Sequence, residues 1–269
     1  MNEHYHPEAV VGQQLRCLEA ITMKQRKALF GLQVLLSILF SGAISISSVA
    51  DSPDSQKDSK GWRDTFDISA CAWSSAGKND FFILEPGYQE VLEGKEGKEY
   101  IRLEITVLNE TLKIGNVETR VVEEREFENG EVVEVSRNFL AVCAPANDVY
   151  YFGEFVDIYE DGKVDDHEGE WMAGTAGAKA GLLMPAQPQI GDRFYQETSP
   201  GVAMDRAEVI SNSESLRTPA GIFHNCLKIE ETNPLEPGSR EYKIYARGIG
   251  IIQDGGLFLV RYGSAILKK

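Results

Sequence analysis

Four carboxylates open the reading of this 269-residue chain. Asp157, Asp161 and Glu168, with Gly162, fall at positions 1, 5, 12 and 6 of a twelve-residue calcium loop, and Asp165 falls at position 9. Carboxylates at those spacings can wrap a hard cation in oxygen ligands, so Ca2+ is the cofactor this stretch suggests. Tyr159 takes position 3, where an oxygen ligand is normally needed, and both flanks read as strands instead of helices. The competing account is a β-hairpin with Asp161-Gly162 at its tip and a solvated acidic face. His167 stands inside the same stretch, beside Glu168, Glu170 and Trp171. On a strand, His167 and Trp171 share one face while Glu168 and Glu170 share the other. The histidine would then meet a carboxylate from another strand, Glu154 or Asp205, and act as acid, base or ligand. Its structural alternative is an imidazole packed beside Trp171.

Other chemistries find little support. Zinc asks for three or four His or Cys ligands, and beyond residue 50 the histidines are His167 and His224. Gly174–Gly181 (GTAGAKAG) superficially resembles a phosphate loop but lacks the Gly-Lys-Ser/Thr ending. There is no Gly-x-Ser-x-Gly elbow, no His-Glu-x-x-His and no CxxC pair. Carboxylate pairs occur throughout so acidic a chain and single out no site. Tyr150, Tyr151, Phe152, Phe155 and Trp171 can line an apolar pocket or simply fill a sheet core.

The elements that must position these residues read as strands. Tyr100–Leu108 alternates, with Ile101, Leu103, Ile105 and Val107 against Arg102, Glu104 and Thr106. Segments 117–127 and 132–140 flank Asn129-Gly130, a type I′ turn signal. Segments 149–159 and 163–171 repeat the arrangement around Asp161-Gly162. Residues 172–191 read as a long Gly/Pro loop. Shorter strands follow at 193–197, 206–211, 214–217, 226–232, 241–246 and 250–254, and a Gly255-Gly256 turn leads into 257–262. The pattern predicts an all-β fold: a curled antiparallel sheet, half-barrel or sandwich. Residues 81–269 form a single β domain in this reading.

The N-terminal part carries an address. Met23–Lys27 is basic, Ala28–Ile46 is apolar, and Ser48-Val49-Ala50 is a cleavage-like site. Residues 23–50 therefore read as a signal peptide, 1–22 as an upstream extension or start-site artefact, and 51–80 as a polar tether and lead-in. The expected destination is periplasmic or extracellular, with no stable membrane insertion of the mature chain. A net charge of −15 excludes nucleic acid as the natural partner. Cys71, Cys143 and Cys226 permit one disulfide and one free thiol, or three buried thiols, and the pairing is open.

The stretch also carries a resemblance. Tyr151–Glu154 (YFGE), His167-Glu168-Gly169-x-Trp171-x-Ala173-Gly174, Gly177-Ala178-Lys179-x-Gly181 and Met184-Pro185-Ala186-x-Pro188 resemble a family of exported bacterial β-rich proteins of unknown function. Asp205–Val209 (DRAEV), Thr218–Phe223 (TPAGIF) and Tyr245-Ala246-x-Gly248-x-Gly250 continue it, over roughly residues 81–254. The resemblance implies export and a β-rich fold, and no activity. The chain departs from it at Val142–Asp148, where Cys143 stands in place of an expected carboxylate.

The first functional reading is a non-catalytic β domain binding a small or apolar ligand, or a protein partner. Its expected site is a concave pocket with Tyr151, His167, Trp171, Met184 and Asp205. A divalent-cation site at Asp157, Asp161, Asp165 and Glu168 is the alternative. A hydrolase using His167 with a carboxylate is the residual one.

Overall fold

A computed structural model describes residues 61–265, and the signal, the upstream extension and residues 51–60 of the tether and lead-in read from the sequence lie outside them. The described residues form eighteen strands and no helix. In chain order the first six are β1 (Ala72–Ser74), β2 (Gly77–Lys78), β3 (Ile83–Leu84), β4 (Tyr88–Glu96), β5 (Glu99–Ile114) and β6 (Val117–Glu128). Then come β7 (Glu131–Ala144), β8 (Asp148–Glu160), β9 (Lys163–Asp166), β10 (Trp171–Met172), β11 (Lys179–Met184) and β12 (Arg193–Tyr195). The last six are β13 (Glu197–Thr198), β14 (Arg206–Thr218), β15 (Gly221–Thr232), β16 (Glu241–Ala246), β17 (Gly250–Asp254) and β18 (Leu257–Ser264).

The described part of the chain is all-β, and its large antiparallel sheet curls until it nearly closes into a barrel. The strand order is β12-β14-β15-β16-β17-β18-β4-β5-β6-β7-β8-β11-β13. Its two ends, β12 and β13, are separated in sequence by Gln196 alone. One short segment therefore pairs with β14 through Arg193–Tyr195 and with β11 through Lys179–Ala180, which draws the two edges of the sheet together. Such closure removes the exposed edges that an open sheet presents to other chains. Long strands make this possible: β5, β6, β7 and β8 pair over most of their length. The Asn129-Gly130 turn between β6 and β7 has positive φ at both residues (52° and 92°), as a type I′ hairpin requires.

Two sequence expectations are corrected. The loop expected over 172–191 contains β11, which pairs with Val149–Tyr151 of β8 and belongs to the barrel wall. Gly181 inside it signals a close backbone approach, not a break. A Cβ there would fall within the van der Waals surface of the Gln196 carbonyl oxygen. The strand expected over 163–171 ends at Asp166, and residues 167–170 form a turn that brings His167 and Glu170 together.

One end of the barrel is covered by the segment before β4. Phe81 and Leu84 are fully buried there. Asn79 Nδ2 donates to the carbonyl oxygens of Asn147 (3.1 Å) and Met184 (3.4 Å), and Gly248 N–H donates to the Asp80 carbonyl (2.7 Å). The preceding residues pack on the outside of β7 and β8. Trp73 sets its ring edge-on against Tyr150 and Phe152, with centroids 5.5 and 5.2 Å apart. Cys71 and Cys143 form a disulfide, and Cys226 is a buried free thiol. The bridge closes a separation of 72 residues. Constraint of the unfolded chain by a loop of that length contributes about 4 kcal/mol. The C71S/C143S protein is therefore expected to unfold at lower urea than the wild type by an amount of that order, read from equilibrium urea curves under oxidising conditions. Among the described residues no helix is long and apolar enough to cross a membrane.

Candidate functional site

The interior of the barrel holds a cavity of about 260 Å³. Its walls follow from strand alternation. On β7 the lining residues are Glu134, Ser136, Asn138 and Leu140, every second position. On β8 they are Tyr151 and Glu154, because a bulge places Phe152 and Gly153 opposite Phe139 and restores the inward direction at Glu154. β5 gives Ile105 and Val107, β6 gives Val122 and Glu124, and β4 gives Tyr88 and Glu90. The other wall brings Asp205, Glu231, Lys243, Tyr245, Ile251 and Asp254.

Exposure falls steadily from one end to the other. Glu134 is exposed and Glu124, Glu231, Lys243 and Asp254 are half-buried, whereas Asn138, Leu140, Val122 and Tyr245 are buried. The acidic end is therefore the mouth. The inner end is apolar, floored by Phe82, Ile83, Val107, Val122, Leu140 and Met184. The strand registers fix the boundary. Glu90 pairs with Ile105, Ile105 with Glu124, and Glu124 with Ser136, one row across four strands.

Eight carboxyl groups line this cavity against one ammonium. Lys243 Nζ lies 3.0 Å from Glu231 and 3.6 Å from Asp254. The remaining carboxyls have no such partner and resist ionisation. Burial pushes Glu124 up to about 7, with the Lys243 charge opposing the rise. Burial also pushes Glu154 up to about 8, with the neighbouring Tyr151 hydroxyl opposing the rise and the charge of Glu124 reinforcing it. Glu197 is raised far above the ordinary carboxylate range by burial, by Glu154 and by Asp205, to which it donates a hydrogen bond. Glu90 is likewise raised by burial, against the hydrogen bond from the Ile251 N–H. These directions have one cause: carboxylates in a narrow, poorly hydrated space lose solvation and repel one another.

The residues singled out from the sequence divide between this cavity and the outside. Tyr151, Met184 and Asp205 line it together. Tyr151 is buried and its hydroxyl donates to Asn138 Oδ1. Trp171 packs behind Tyr151, ring centroids 5.3 Å apart, and is not itself a lining residue. Its indole N–H is buried without a hydrogen-bond partner. His167 lies outside, on the turn after β9. Its Nδ1–H donates to the Val156 carbonyl at 2.7 Å, and Asp157 and Glu170 stand 3.1 and 3.6 Å away. The Val156 bond first, then the Glu170 and Asp157 charges, raise its pKa. It meets neither Glu154 nor Asp205, the partners that strand alternation suggested.

The four carboxylates of the calcium-loop spacing also lie outside the barrel. Asp157 is on β8 and engaged with His167, Asp161 occupies the positive-φ turn position (53°), Asp165 is on β9, and Glu168 is on the following turn. Among the described residues, no group of three or more His, Cys, Asp or Glu side chains is arranged to hold a metal ion. Sequence reasoning passed over Glu90, Glu124, Glu154 and Glu197 as lining groups. Glu90 alone carries a readable signal, a carboxylate at an inward position of a strand that is otherwise apolar on that face, Tyr88-x-Glu90-x-Leu92. Compared with protein-family models, with curated proteins and with solved structures, the chain matches none.

Proposed function

We propose that the protein is an exported, non-catalytic binding protein that holds a small ligand with an apolar part in the barrel lumen. The observation that carries this reading is the graded cavity itself, closed and apolar at one end and open at the other. Sites for small molecules are concave, largely apolar and furnished with a few converging polar groups. A volume of about 260 Å³ exceeds the cavity of roughly 150 Å³ that takes up benzene and falls just below the roughly 300–1,000 Å³ of drug-sized pockets. The ligand is accordingly small. Export rests on the Met23–Ala50 pattern, and a Cys71–Cys143 bridge is of the kind that persists in oxidising compartments.

Nile red, a neutral dye that brightens in apolar surroundings, tests the lumen directly. It is expected to bind the wild-type protein and to be lost from Val122→Trp, whose indole would fill the floor. The melting temperature of that variant should stay within a few degrees of the wild type. Equal dye binding by a folded Val122→Trp protein would remove the lumen as the site.

A further inference from the structure

Resting on that reading, the structure assigns the ligand a chemical class: we propose that it is a small organic cation, an amine with an apolar body, whose ammonium is held by Glu90 at the boundary row of the lumen. The first argument is the state of Glu90. Only 9% of it is exposed, it lines the cavity, and its Oε1 is buried without a hydrogen-bond partner. A buried oxygen of that kind costs stability unless something meets it. Its place is also made for it. A Cβ on Gly250 of β17 would fall inside the van der Waals surface of Oε1, so the carboxyl occupies space that only a glycine leaves open.

The second argument is position. Beyond Glu90 toward the closed end lie Val107, Val122, Leu140 and Phe82. Level with Glu90 in the row lies Glu124, and toward the mouth lie Glu134, Glu231 and Asp254. A molecule that enters with its apolar end leading leaves a trailing charge at the row of Glu90, Ile105 and Glu124. The mouth carboxyls accept hydrogen bonds from a cation and, as they ionise, attract it toward that row. An anion would meet carboxyls throughout, since the one lining ammonium, Lys243, is already engaged by Glu231 and Asp254.

The third argument separates an amine from a metal ion. The carboxyls are distributed around the wall, and no three of the described acidic or metal-ligating side chains converge on one point. An ammonium needs hydrogen-bond acceptors in two or three directions and tolerates apolar neighbours on its carbon side. Glu90 Oε1, with Glu124 across Ile105, offers that arrangement.

Titratable groups facing Glu90 come from several strands: Tyr88 on its own, Glu124 on β6, Lys243 and Tyr245 on β16, and Asp254 on β17. Burial, reinforced by the Glu124 charge, raises the ligand-free Glu90 carboxyl well above the ordinary carboxylate range. Binding an ammonium therefore displaces a proton: the carboxylic O–H breaks, the proton leaves to solvent, and the carboxylate pairs with the cation. The sum is charge-balanced and needs no other reactant.

The test is calorimetric titration of the whole protein at pH 7 with hexylamine and phenethylamine, each beside its neutral alcohol of the same shape, in two buffers of different ionisation enthalpy. The amines are expected to bind at least tenfold more tightly than the alcohols and to release protons on binding, which the alcohols do not. Glu90→Gln, close to isosteric, should abolish both the preference for amines and the proton release. If alcohols bind as well as amines, the cation assignment is wrong and the lumen reading stands. If neither series binds but Nile red does, the cation assignment again fails. If none of the three probes binds, both readings fall. Should Glu90→Gln not fold, the wild-type comparison of amine with alcohol decides the matter alone.

Discussion

The ligand-free protein is expected to melt at a higher temperature at pH 5 than at pH 8.5, the reverse of the usual response of carboxylates. The sign comes from the lumen and its mouth. Glu124, Glu126 and Glu154 are pushed by burial from an ordinary 4.5 to about 7, about 8 and about 8. Between 4.5 and about 8 the folded protein holds protons that the unfolded chain has released. Stability then falls as pH rises across that window, because the folded state binds more protons. A tenfold change in the acidity of one group is worth about 1.4 kcal/mol. Groups crowded around a wet mouth are screened and coupled, so together they contribute far less than the same groups would separately. A net loss of about 2–3 kcal/mol between pH 5 and 8.5 translates to a fall of roughly 5–10 °C for a domain of this size. Below pH 4.5 these groups add nothing further. Calorimetric melting at pH 4, 5, 6, 7 and 8.5 reads the curve directly. Glu154→Gln, which keeps a neutral side chain at every pH, should flatten it. A melting temperature that climbs with pH through this window would show the lumen carboxylates ionised and well hydrated, and the account of the cavity would need to be redrawn.

The strands were legible where one face alone is apolar. Ile101, Leu103, Ile105 and Val107 alternate with polar residues, and β5 lies where that alternation places it. The Asn129-Gly130 turn announces its hairpin for a backbone reason, its two positive φ angles. The lumen was not legible, and β6 shows why. Glu123-Glu124-Arg125-Glu126 is charged at both parities, so no alternation separates the outer face from the inner one. Glu123 points outward to Arg125 (2.6 Å), while Glu124 points into the cavity. Only the closed sheet tells them apart. Calcium-loop spacing does not describe the spatial arrangement of these carboxylates for a related reason. It counts positions along the chain, and a tight Asp161-Gly162 hairpin sends successive carboxylates to opposite faces and onto separate strands. Tyr151, Met184 and Asp205 are far apart in sequence and share the cavity because β8, β11 and the start of β14 meet near the seam of the barrel. The seam itself is invisible in sequence, because it depends on one segment, Arg193–Thr198, serving two edges at once.

Gly181→Ala is expected to open that seam. The residue pairs with Tyr151 on β8, and its backbone lies against the carbonyl of Gln196, the one residue that joins β12 to β13. A methyl group at this position collides with main chain at both the Gln196 and the Tyr195 carbonyl, and no flexible side chain is there to give way. Either β11 shifts outward and its pairs to Glu197 and Thr198 are lost, or the 193–198 segment leaves β14. The loss is expected to be about 3 kcal/mol or more, at the upper end for overpacking because backbone must move. Gly256→Ala is the control. Its backbone is not left-handed, and the nearest atom to an added Cβ is 3.4 Å away, so its cost should stay below about 1 kcal/mol. Urea unfolding distinguishes the two. Nile red binding adds a second reading, since a barrel parted beside Tyr151 and Met184 admits water to the apolar floor and should lose the dye even where the variant remains folded. Wild-type stability in Gly181→Ala would mean that the seam is loosely packed. The lumen would then be a groove open along one side, able to take a longer ligand than its volume allows.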